Sequence, residues 1–87
     1  MKSIEKEIIE LAQLFQHKKT ALLSSEADAY EWGKFKNAEM HFENFKVMFQ
    51  QSKVNIPYTA EIAGNFKKAA DEIKIELDAI KTPPTAG

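Results

Sequence analysis

The chain has no cysteine and no arginine. Without cysteine it can form no disulfide, no thiolate nucleophile and no cysteine-ligated zinc site. Its 12 basic residues are all lysine, so the arginine fork that most often reads guanine in the major groove is missing. Charge of one sign is missing too: 13 acidic residues leave a formal net charge of −1, not acidic enough for a DNA mimic. Glycine is scarce, and Gly33, Gly64 and Gly87 stand alone, so there is no glycine-rich phosphate loop. Long apolar runs are also lacking. The opening MKSIEKEIIE interleaves charges with its isoleucines, so no secretory signal core is expected there. No stretch reaches the length that crosses a bilayer. These absences set the expectation of a cytoplasmic protein with no membrane contact.

What the chain does have is helical patterning. The stretch WGKFKNAEMHFENFKVMF, residues 32 to 49, holds four of the six phenylalanines. Phe35, Ala38, Phe42, Phe45 and Phe49 recur at alternating steps of three and four, which aligns them on one stripe of an α-helix. Ile4, Ile8, Leu11, Phe15 and Leu22 form a second stripe, with Lys18 filling a gap near one end. Ile62, Phe66, Ala70, Ile73, Leu77 and Ile80 form a third. No segment alternates apolar and polar residues as a half-buried strand would. A chain of 87 residues makes one domain. The expected fold is therefore all-α, a small three-helix up-down-up bundle.

Local signals place the boundaries. Ser3 is a candidate N-cap, followed by Glu5 and Glu7 where the helix dipole favours acids. The first helix is expected over about 3–23. Ser25 with Asp28 has the spacing of a capping box, which starts a second helix over about 26–51. Gly33 within that pattern permits a kink. Pro57 suits the first turn of a third helix over about 58–81. Thr82-Pro83-Pro84 stops it, so the domain spans 1–82 and 83–87 form a loose tail.

No catalytic constellation emerges from these patterns. His41 has no histidine or carboxylate three or four residues away, and His17 reads as solvated. The carboxylate pairs Glu39/Glu43 and Glu72/Glu76 have lysines nearby and read as solvated surface. No cofactor, metal site or enzymatic activity is expected. Lys34, Lys36, Lys46 and Lys53, interspersed with Glu39 and Glu43, make a modest phosphate footprint, so direct nucleic-acid binding is expected to be weak. A protein-binding face fits better. The back of the second helix carries Ala29, Gly33, Lys36, Met40 and Val47, with Tyr30 and Trp32 on its flanks. Aromatic residues and methionine are enriched in interface cores, which makes Tyr30, Trp32, Lys36, Met40 and Val47 the candidate protein-binding residues. The competing reading has Tyr30 and Trp32 closing one end of the core.

Gly33, Phe35, Lys36, Ala38, Phe42 and Phe49 spell G-x-F-K-x-A-x-x-x-F-x6-F, and Glu61, Ala63, Phe66, Lys68 and Ala70 spell E-x-A-x-x-F-x-K-x-A. In this order, over residues 33 to 70, they resemble a small all-helical anti-CRISPR family that inhibits type II-C Cas9. The first third of the chain lies outside the resemblance, and the spacing between the two patterns differs by about one helical turn. The resemblance implies a phage or mobile-element protein that binds Cas9 and blocks its use of target DNA. The expected function is a non-enzymatic protein-binding module, an inhibitor of a bacterial defence protein. The alternatives are a homo-oligomeric scaffolding protein and an accessory nucleic-acid-binding protein.

Overall fold

Ser3 sets the start of the first helix: its backbone is extended and its hydroxyl accepts the Lys6 N–H at 3.2 Å. That satisfies one of the donors a helix leaves unpaired at its N-terminus. The structure, a computed structural model, describes residues 3–55 and 59–81, with 53–55 described by backbone alone. Within them lie α1 (Ile4–Ser24), α2 (Ala29–Asn55) and α3 (Ala60–Asp78), and no strand. This is the expected three-helix all-α bundle.

The turn between α1 and α2 departs from the expected capping box. Ser25 closes α1 rather than opening α2, its N–H donating to Ala21 O at 3.0 Å. Glu26 takes a left-handed conformation, φ 53°, and the Ala27 N–H returns to Leu22 O at 3.1 Å. That six-to-one bond is the Schellman closure, which needs a left-handed residue just after the helix. A helix cannot pass through such a residue, so α2 begins three residues later than expected. Asp28 is its cap, with Oδ1 accepting the Glu31 N–H at 3.0 Å.

α2 then runs as one element through Gly33 to Asn55, beyond the expected end at 51. The helix is not divided into two pieces at Gly33. A Cβ built there would meet nothing within 4 Å, so the glycine serves no close approach. α3 starts at Thr59, whose Oγ1 accepts the Ile62 N–H at 3.2 Å, and ends short of 81. Pro57 and the tail 83–87 lie outside the described residues.

The three stripes meet in one core. Ile4, Leu11, Phe15 and Leu22 of α1, the five α2 stripe residues, and Ala70, Ile73, Leu77 and Ile80 are all buried. Phe15 stacks on Phe42 at 4.9 Å and meets Phe35 edge-on at 5.7 Å. Phe66 of α3 sits edge-on to Phe45 at 5.6 Å and to Phe49 at 5.4 Å. The stacked and edge-on geometries are those the ring quadrupole favours. One half of the α2 stripe thus packs on α1 and the other on α3. Contacts from Phe66 to Phe49 and from Lys81 N–H to Glu31 Oε2 (3.0 Å) make α2 antiparallel to α3.

α1 and α3 run side by side in the same direction, joined by charge as well as by apolar packing. Glu7 is only 1% exposed. Its Oε2 accepts from Lys74 Nζ at 2.7 Å, and Lys67 Nζ lies 3.6 Å from its Oε1. Lys18, the residue filling the gap in the α1 stripe, donates to Ile80 O at 2.9 Å. It thereby ties α1 to the chain just beyond the end of α3. Lys67 also donates to Asp71 at 2.7 Å. That bond holds the Asp71 carboxyl below its usual range and raises the Lys67 ammonium.

Candidate protein-binding surface

The candidate residues separate into different environments. Trp32 is half-buried against the core, edge-on to Phe35 at 5.7 Å. It helps close the core, as the competing reading had it. Tyr30 is 69% exposed, with the Lys34 ammonium 4.4 Å from its ring centroid. At about 100° per residue, Tyr30 and Trp32 lie about 160° apart around α2, so they share no face. Lys36, Met40 and Val47 do share one, and all three are exposed.

That outer surface has a property which composition alone conceals. From Asn37 to Gln51 the solvent-facing side of α2 presents Asn37, Met40, Asn44, Val47, Met48 and Gln51, all exposed and none charged. Lys36 stands just before this run on the same face. Beyond Lys36, in a protein with 29% charged residues, a run of about four turns without charge is the composition expected of an interface centre. Charge returns at its edge: Glu43 pairs with Lys46 at 2.8 Å, and Lys46 covers the Phe42 ring at 4.7 Å.

Beside this strip lies a feature that sequence reasoning missed. α1 covers one flank of the α2–α3 pair. On the opposite flank the two helices leave an open groove of about 780 Å³. Its floor is Phe45, Phe66, Ala69 and Ile73, with Ile62 and Ser52 toward one end. Met48, Asn44 and Gln51 form the α2 lip, and Glu72 and Glu76 the α3 lip. His41 Nδ1 and Glu76 Oε2 share a hydrogen bond across it at 2.8 Å. Ile62 and Phe66 read as core from their spacing, yet both are only half-buried, because among the described residues no helix packs over them from this side. Their spacing carried no signal of this, since Ile62 lies about five full turns before the buried Ile80 and so, by helical spacing, on the same line.

Comparison with protein-family models, curated proteins and solved structures finds no match to this chain. Of the residues that carry the anti-CRISPR resemblance, Phe35, Ala38, Phe42, Phe49 and Ala70 are buried. Those positions serve packing. Among the described residues no three His, Cys, Asp or Glu side chains cluster as a metal site would require. No helix among them is long and apolar enough to cross a membrane.

Proposed function

We propose that this chain is a non-enzymatic protein-binding module that inhibits a bacterial defence protein. The observation that carries the binding part is the uncharged strip of α2 running into the open α2–α3 groove. Charge depletion with exposed methionine beside an apolar concavity is how interface centres differ from ordinary surface. The resemblance over residues 33 to 70 supports the inhibitory part and makes a type II-C Cas9 the first target to test. The uncharged strip also favours a second reading, self-association, because two copies placed strip to strip would meet no like charge.

The test is capture by the tagged chain in bacteria carrying a type II-C system, compared with its Met40→Asp variant. Met40 is 54% exposed, so the variant is expected to keep its melting temperature. Its target is expected to drop at least tenfold, since desolvating a new carboxylate at an interface centre costs about 2 kcal/mol or more. Cas9 enriched by the parent chain and lost with Met40→Asp supports the inhibitor. No protein enriched over the variant, with light scattering showing a concentration-dependent dimer, supports scaffolding. Tight DNA or RNA binding at physiological salt overturns both. Trp32→Ala is the poorer probe, because its contact with Phe35 couples binding to stability.

A further inference from the structure

We infer that the α2–α3 groove receives one amphipathic helix of a partner protein, and that this helix is basic along the flank facing α3. The inference rests on the protein-binding reading and names the chemistry of the partner at that site.

Geometry comes first. Two packed helices with a third on one side present, on the other, the position that a fourth helix occupies in a four-helix bundle. The floor of Phe45, Phe66, Ala69 and Ile73 is suited to a row of apolar side chains recurring every third or fourth residue. Met48, 60% exposed, stands on the lip where it would close over such a row. An unbranched thioether adapts to the shape of what it covers.

Charge decides the occupant. The groove's lining contains two carboxylates, Glu72 and Glu76, and no lysine. Glu76 is engaged by His41. Glu72 is exposed and makes no ion pair among the described residues. An acidic α3 lip facing a neutral α2 lip of Asn44, Met48 and Gln51 is complementary to a helix with lysine or arginine on one flank only. Potentials matched in this way set orientation and partner choice more than raw affinity. A second copy docking its own α2 strip here would bring Lys36 and Lys46 together with the acids Glu39 and Glu43, Lys46 already paired with Glu43. That is a mixed flank rather than a basic one, so the groove is better matched by a different chain.

The probes are two labelled 18-residue helical peptides with the same leucine stripe, one with lysine on the flank and one with glutamate. Fluorescence anisotropy against the full chain is expected to show binding of the lysine peptide, weakening as salt rises, and at least tenfold weaker binding of the glutamate peptide. Met48→Asp is expected to weaken the lysine peptide at least tenfold. Glu72→Lys, which leaves the His41–Glu76 bond in place, is expected to shrink or reverse the preference. Asp78→Lys makes the same charge change at an exposed position outside the groove and is expected to leave the preference standing. Thermal melts confirm that each variant is folded. Failure of the lysine peptide to bind, equal binding of both peptides, or the same response to Asp78→Lys as to Glu72→Lys overturns the inference. If a captured partner is lost with Met40→Asp but kept with Met48→Asp and Glu72→Lys, the protein-binding reading survives and the groove assignment falls. If nothing is captured and no peptide binds, both fall.

Discussion

The two flanks of the α2–α3 pair are built from the same helices and put to different uses. On one, α1 lays Leu11, Phe15 and Leu22 into the pair, and Glu7 meets Lys74 inside the α1–α3 seam. On the other, Phe45 and Phe66 floor a groove open to solvent, crossed by the exposed His41–Glu76 hydrogen bond. The filled flank pairs its buried charge within the chain. The open one leaves Glu72 on its lip. A buried carboxylate is tolerated only when its partner is fixed nearby, so Glu7 marks an interface that belongs to folding. The apolar floor with Glu72 on its rim is the docking site inferred above.

Breaking the filled flank is expected to give the largest effect. Phe42 stacks on Phe15 at its centre, and Phe42→Ala is expected to cost about 3–5 kcal/mol in urea unfolding. Lys36→Ala on the outer face of α2 is expected to stay within about 0.5 kcal/mol. Similar losses from both would mean that α2 has no solvent side. Glu7→Ala comes next, at about 1–3 kcal/mol, because it removes the 2.7 Å partner of the half-buried Lys74 and leaves it the looser Glu10 contact at 3.8 Å. A neutral result would show that the seam is held by its apolar contacts alone, and the contrast between the flanks would shrink to shape. Gly33→Ala is the smallest and has the opposite sign. In an exposed helix interior with room for a methyl group, it is expected to stabilise by up to about 1 kcal/mol. Destabilisation there would indicate a bent α2 and a differently shaped outer strip.

Much of the filled flank could be read from the sequence. The spacing of Ile4, Leu11, Phe15 and Leu22, of the α2 phenylalanines, and of Ala70 to Ile80 identified the residues that are buried, including the gap that Lys18 occupies. Two kinds of feature were not legible. The α1–α2 turn depends on Glu26 adopting a left-handed conformation, which a glycine or asparagine would have advertised and a glutamate does not. The cross-helix partners Glu7–Lys74 and His41–Glu76 are 67 and 35 residues apart, so no local spacing rule pairs them. The groove was hidden for a related reason. Helical periodicity shows which face is apolar, but not which part of that face a neighbouring helix will cover. Ile62 and Phe66 therefore looked the same as Ile73 until α1 was seen to pack on the far side.

The seam between α1 and α3 has a kinetic consequence. Lys18 meets Ile80 across 62 residues and Glu7 meets Lys74 across 67, long reaches for a protein made only of helices. Helical bundles owe their fast folding to contacts between neighbours in sequence, and each long loop that must close slows the approach to the native state. During synthesis α1 and α2 emerge together, while the surface of α1 destined for α3 stays wet and the Glu7 carboxylate stays hydrated. The core closes only once α3 has left the ribosome, so this chain is expected to complete its fold as a single unit after all three helices have been made.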